Sequence, residues 1–344
     1  MEKRMNDKIL TVVVPTYNAE KYLKDNLESF IYEDILLDVE ILIINDGSKD
    51  KSLDIAMEYV QRYPNSFNII TKENGGHGSG INCGIRNASG KYFKVVDADD
   101  WVESDALRKL LRNLKEMDSD VVYSGFLWVF DQGQDDKKLF KKKAEISQPF
   151  IGVLYKQNYD FDEIADKLYM KMHNMTIKTD ILRKHHIFID ENCYYVDTEY
   201  ITYPIPYVKT ISFVDEFVYM YRIGSQGQSV GIDKMQQNEK NYDKVLQSLF
   251  NFYAQLESDV PCSYKKKKYI ERIIARVVAG KIKIMLSFPA TKGKKKELQI
   301  FEYNLRERYP NIYNENINKA IVVLRKSRYL MYYPISFAVK RKFS

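Results

Sequence analysis

The sequence predicts an α/β protein: a mainly parallel sheet flanked by helices, then a basic, mostly helical C-terminal region. Three observations carry this. From residue 9 to residue 117, short apolar, β-branched runs alternate with segments of helical period, the pattern of right-handed β–α–β units. The polar, glycine-rich and acidic segments fall where those runs end, at the sheet edge where such folds place ligands. Beyond about residue 235 the pattern turns helical and basic. The expected division is a ligand-binding domain over 1–230 and a helical basic region over 231–344.

Residues 9–14, Ile-Leu-Thr-Val-Val-Val, read as a strand buried on both faces, closed by Pro15 and Thr16. Tyr22, Leu23, Leu27, Phe30 and Ile31 set a helical period over 20–31. Residues 39–44 form a second strand, ending at Asn45-Asp46-Gly47-Ser48. Residues 50–62 read as a helix and 67–71 as a strand. Glu73 to Gly80, with four glycines among its eight residues, reads as a loop, and 80–88 as a helix. Residues 91–96 form a strand that runs into Asp97-Ala98-Asp99-Asp100. A helix over 104–117 and a strand over 120–130 follow. Residues 131–146 read as a charged loop containing Lys141, Lys142 and Lys143. A helix and an aromatic, acidic segment occupy 176–200, and 211–222 reads as a strand pair.

Composition narrows the class. A chain of 344 residues with 45% apolar content can bury a sizeable core. Cys83, Cys193 and Cys262 stand far apart, which suggests a reducing compartment and neither a disulfide framework nor a zinc cluster. No run of 18 apolar residues exists, so no membrane-spanning helix is expected, and the short apolar run 9–14 does not suit a signal peptide. Residues 260–344 carry 21 Lys/Arg against 5 Glu, whereas the first 259 carry 32 basic against 42 acidic residues. An acidic body with a basic tail suggests an anionic surface or polymer as partner. Nucleic acid is not expected, because the basic third carries no RNA-binding motif.

Asp97, Asp99 and Asp100 place three carboxylates within four residues. Such charges repel, and a fold tolerates them best around a cation. Their hard oxygens suit Mg²⁺ or Mn²⁺, especially one shared with a diphosphate. The alternative is a strand-to-helix turn in which Asp99 or Asp100 caps the helix.

Six segments, in order over residues 9–230, resemble the family 2 glycosyltransferases, inverting enzymes of the GT-A fold. Val14-Pro15-Thr16-Tyr17-Asn18-Ala19 resembles the opening motif and Asn45-Asp46-Gly47-Ser48 the second. Asn74-Gly75-Gly76 with Asn82-x-Gly84 resembles the third, and Asp97-Ala98-Asp99 the metal motif. Asp197 with Tyr200 resembles the catalytic segment, and Tyr219-Met220-Tyr221-Arg222 with Ser225 and Ser229 the lid. Asn45, Ile81 and Val196 depart from the family's usual Asp, Arg and Glu.

The resemblance implies a metal-dependent hexosyl transfer from a nucleotide-sugar, a UDP-sugar by preference, to a glycan or lipid-linked acceptor. Pro15, Thr16 and Asp46 would hold the base, with Asp46 accepting a uracil imide hydrogen, and Tyr17 and Asn18 would also bind the donor. Gly75, Gly76 and Asn82 would shape the donor pocket. Asp97 would meet the ribose, Ala98 would line the donor site, and Asp99 with Asp97 would ligate Mn²⁺ or Mg²⁺. Asp197 is the expected general base, with Glu199 as the alternative, and Arg222 a diphosphate clamp. Asp100 reads as a structural cap. His77 reads as a sugar contact or a solvated loop residue. His173, His185 and His186 read as interface or surface residues. The rival reading is a non-catalytic, nucleotide-sugar- or glycan-binding scaffold of the same fold. In the last third, Arg325 to Lys342 set basic residues around an apolar centre, which suits an anionic membrane face. A solvated basic face and a homo-oligomer contact remain open beside it. The expected location is cytoplasmic, peripheral at the inner membrane face.

Overall fold

The computed structural model describes residues 8–130, 141–224, 231–258 and 260–343. Contacts divide the chain into two compact units, Met1–Gln226 and Gly227–Ser344. The first runs β1 (Leu10–Thr16), α1 (Leu23–Glu28), α2 (Glu33–Asp38), β2 (Val39–Asn45), α3 (Ser52–Arg62), β3 (Phe67–Thr71), α4 (Gly76–Asn87) and β4 (Tyr92–Val95). It continues through β5 (Trp101–Val102), α5 (Ser104–Glu116), β6 (Val121–Phe130), β7 (Lys141–Ala144), β8 (Asn158–Asp160), α6 (Phe161–Ile164), β9 (Met175–Lys178), α7 (Thr179–Lys184), α8 (Asp197–Thr202) and β10 (Thr210–Ile223).

Among the described residues the strands form one sheet of order β3-β2-β1-β4-β9-β6-β10-β5, with β7 beside β6 and β8 beside β10. The strands β3-β2-β1-β4 are parallel, as are β6 and β10; β9 joins these two sets antiparallel to both neighbours. Val12, Val13, Val14, Ile41, Leu42 and Ile43 are buried, so β1 and β2 carry helices or loops on both faces. On α5, Leu107, Leu110, Leu111 and Leu114 repeat at helical spacing and join Leu23, Leu27 and Phe30 in the core. Truncating one of these leucines to alanine costs about 2–5 kcal/mol.

Four boundaries differ from expectation. The helix expected over 20–31 is confined to α1, with α2 following as a separate short helix. Most of the glycine-rich segment is not a loop but the first turns of α4. Its glycines let that helix approach its neighbours: a Cβ on Gly78 would meet the Asp190 carbonyl oxygen, and one on Gly84 would lie 2.6 Å from Val13. Residues 131–140 of the expected charged loop lie outside the described residues, and Lys141–Ala144 instead form β7 on the edge of β6. The expected strand pair at 211–222 is one strand, β10, with register shifts between Val214 and Tyr219.

The second unit runs α9 (Ile232–Gln237), α10 (Glu239–Ser258), α11 (Tyr264–Ser287), α12 (Lys292–Arg308), α13 (Pro310–Glu315), α14 (Lys319–Lys326) and α15 (Tyr332–Phe343). The long α11 is its axis, buried along Ile270, Ile273, Ile274, Val278 and Ile282, with α10, α13 and α15 against it. Buried charges there are paired. Glu302 accepts from Nε and Nη2 of Arg325, and Lys281 meets Glu239 and Asp243. Removing one partner of such a pair strands the other charge, at about 3–5 kcal/mol. Among the described residues no helix is long and apolar enough to cross a membrane.

Candidate functional site

The acidic segment leaves β4 and closes as a turn, with the Asp100 amide donating to the Asp97 carbonyl. Three side chains from elsewhere hold it. Asn26 of α1 donates to the carbonyls of Asp97 and Asp100. The Tyr219 hydroxyl of β10 accepts from the Asp97 amide and donates to the Asp100 carboxylate. Arg222 donates through Nε to the Asp99 carbonyl, and its own amide donates to Asp100 Oδ1. The turn is thus fixed through its backbone and through the Asp100 carboxylate. Burial and the neighbouring charges of Asp99 and Asp97 push the Asp100 carboxyl well above the ordinary carboxylate range. Asp100 does not cap the following helix; Glu103 does, accepting from the Ala106 amide.

Two histidines enter the site. His77, in the first turn of α4, places Nε2 2.8 Å from Asp97 Oδ1. Burial works against its charge, but Asp97, Asp197 and Asp99 outweigh it and raise its pKa. Burial alone would lift Asp97; His77, with the Tyr219 hydroxyl, holds its carboxyl below the ordinary range. His173 is not a surface residue. Its ring packs on Phe126, Tyr219 and Tyr221, and burial pulls it down to about 3, so it is neutral. One donor atom each from Asp97, Asp100 and His173 lies within 4.8 Å of the others. Two hard carboxylates and a neutral imidazole fit a divalent ion such as Mn²⁺.

Asp197 opens α8 and is exposed. The protein on its remaining sides removes water and raises its pKa, and Asp97 adds to the rise while His77 opposes it. Glu199 is fully buried, with Oε2 accepting from the Asp190 amide. Of the two, Asp197 alone faces solvent.

The sequence profile of glycosyl transferase family 2 matches residues 11–184, half of the chain. The chain belongs to glycosyl transferase family 2. Among curated relatives, the minor teichoic acid biosynthesis protein GgaB of Bacillus subtilis is 28% identical over 72% of this chain. An uncharacterized glycosyltransferase of Rickettsia typhi is 23% identical over 95% of this chain and all of its own length. The chain spans 26% of GgaB, and under half of two further glycosyltransferase relatives. Residues 1–349 of TarS from S. aureus, solved with UDP-GlcNAc, superpose with a TM-score of 0.58 at 16% identity, covering 97% of this chain and 89% of that one. This likeness establishes the GT-A fold.

In this family 2 domain the opening and second motifs are laced together. Asn18 Oδ1 accepts from the Lys49 amide, the Asn18 amide donates to Ser48, and the Ala19 amide to Ser52. Pro15 and Thr16 end β1, and Tyr17 is exposed beside them. Asp46 is not open to a base in this conformation. It is buried, paired with Lys72 at 2.7 Å, and accepts from the amides of Gly75 and Gly76, so it anchors the positive end of α4. Asn82 is also buried. Its amide brackets Ile189, donating to the carbonyl and accepting from the N–H, and reaches Glu191. Arg222, expected as a diphosphate clamp, is 3% exposed and lies between the rings of Tyr22 and Trp101, with Asp25 3.2 Å from Nη2. Ser225 and Ser229 of the expected lid lie outside the described residues.

The residues missed by motif reading are Asn26, His173 and, in its paired role, His77. Asn26 had a signal: it is a polar residue on the buried face that Leu23, Leu27 and Phe30 define. His173 had none, since it reaches the site through the turn Met172–Asn174 before β9.

Proposed function

We propose that this chain is a metal-dependent inverting glycosyltransferase, moving a sugar from a UDP-sugar to a hydroxyl of a bacterial surface glycan or lipid-linked acceptor. The observation that carries it is the meeting of Asp97, His77 and Asp197 at the carboxyl end of β4, close enough for each to bear on another's charge. Residues 1–230 would carry the chemistry in the cytoplasm. Residues 231–344 would serve acceptor or oligomer contacts.

Asp197 is the general base: exposed and placed to take the acceptor proton. Single displacement needs no second catalytic carboxylate. Asp97 and Asp99 would hold the Mn²⁺ or Mg²⁺, with Asp100 and His173 completing the donor set. When bound, that ion supplies positive charge to the leaving diphosphate. Asn26, Tyr219 and Arg222 keep the turn rigid, and Arg222 acts by fixing the Asp99 carbonyl. Pro15, Thr16, Tyr17 and Asn18 line the donor side. Asp46, Gly75 and Gly76 set the α4 terminus beside it, and Ala98 lets the ribose approach. The likeness to GgaB, a teichoic acid biosynthesis protein, supports a surface-polymer acceptor.

The test is release of nucleoside diphosphate from a panel of nucleotide-sugars, with and without Mn²⁺ or Mg²⁺. Metal-dependent release from one donor supports the transfer reading and names the sugar. UDP binding without release from any donor, even with glycan acceptors present, favours a binding scaffold. Absence of UDP binding overturns the donor assignment.

A further inference from the structure

The second unit carries an exposed apolar surface with a basic rim. From residue 316 to the end there are seven Lys/Arg and neither Asp nor Glu. Within this stretch, α14 ends at Lys326, and Arg328 and Tyr329 take positive φ of 49° and 63°. That reversal leaves Leu330 78% exposed at the tip. Helix α15 then presents two faces. Tyr332 and Ser336 are buried, and the Ser336 hydroxyl donates to the Leu286 carbonyl of α11. On the other side Tyr333 and Phe337, one turn apart, are 42% and 67% exposed, with Met331 beside them and Arg341 one turn beyond. The start of α12 supplies a basic rim, Lys295 Nζ lying 5.8 Å from the Tyr333 ring.

We propose that Leu330, Met331, Tyr333 and Phe337, with their basic rim, form a docking surface for an anionic lipid bilayer. The helix is anchored through its buried side, so the apolar residues are held outward rather than left by fraying. A leucine, a methionine and two aromatic rings in one patch would enter the headgroup boundary, where a tyrosine ring keeps its hydroxyl wet. Charge selects the occupant. A second copy of this face would bring two net-cationic surfaces together, whereas anionic headgroups complement them. The proposal is independent of the transfer reading, because vesicle binding is read without turnover.

The test is co-sedimentation of the full chain with vesicles of phosphatidylcholine alone and of phosphatidylcholine mixed with phosphatidylglycerol, at low and high salt. The expected result is binding to the mixed vesicles, weakened by salt. A Leu330→Ser, Phe337→Ser double variant should lose roughly tenfold or more of the partition, with an unchanged melting temperature, since both side chains are exposed. Lys340→Glu with Arg341→Glu should remove the preference for phosphatidylglycerol. Partition indifferent to lipid charge, or unchanged in the serine variant, overturns the proposal. So does a self-associating chain that the serine variant makes monomeric while vesicle binding persists.

Discussion

His77 Nε2 and Asp97 Oδ1 stand 2.8 Å apart, tying the first turn of α4 to the acidic turn after β4. The folded chain raises the His77 pKa above its ordinary 6.5. Its contribution to stability is therefore complete below 6.5 and is lost as pH rises through the raised value. Metal-free protein should melt at falling temperature across that rise, and His77→Gln should flatten the slope. With Mn²⁺ present, a neutral His77 orients Asp97, so His77→Ala should weaken Mn²⁺ binding roughly tenfold by titration calorimetry. An unchanged slope in the glutamine variant would dismiss the pairing as a stability term.

Asp197 and Glu199 separate cleanly by experiment. Asp197→Asn should lower turnover by about 10²–10⁴, with UDP affinity intact. The acid limb of kcat/KM should lie above the ordinary carboxylate value of 3.8, because surrounding protein and Asp97 raise the Asp197 carboxyl. Glu199→Gln should instead cost about 1–3 kcal/mol of stability, since it weakens a buried acceptor of the Asp190 amide. Turnover per folded molecule should survive. Loss of turnover in the Glu199 variant alone would exchange the two roles.

Asn82 offers a test of positioning. It holds both the N–H and the carbonyl of Ile189, upstream of the segment that delivers Asp197. Asn82→Ala should cost about 1 kcal/mol or more for each hydrogen bond lost. It should lower kcat more than it raises KM, because the base shifts while the donor side stays. Equal kcat at reduced melting temperature would make Asn82 purely structural.

The legible parts of this fold are those whose burial is written in runs. β1 and β2 are rich in β-branched and aliphatic residues and buried on both faces, and α5 carries a clear period with Glu103 before it. The start of α4 was not legible. Glycine disfavours helices locally, and here close approach to Asp190, Pro15 and Val13 decides the outcome. The site shows the same divide. Asp97, Asp99 and Asp197 stand out as carboxylates at strand or helix ends. The sequence offers Asp46 and Asn82 as donor contacts and cannot show Lys72 and Ile189, the partners that tertiary packing gives them. Likewise His173 gains its place from the crossing of β9 between β4 and β6.

Lys94 lies on β4, the strand that delivers the acidic turn. It is fully buried, and Nζ donates to the carbonyls of His173 and Met175. Burial lowers its pKa from 10.5 to about 7. Between those values the unfolded chain holds a proton that the folded chain has released, so stability rises with pH through this window. Below 7 both states are protonated and the cost of a buried ammonium is borne in full. The span is at most about 5 kcal/mol by linkage, and the two carbonyl acceptors reduce it by favouring the charged form. Lys94→Met removes the titration but leaves those carbonyls without the amine. Urea unfolding from pH 6.5 to 9.5 should therefore show wild type gaining stability relative to the variant, whereas a constant difference would mean that Lys94 keeps an ordinary pKa.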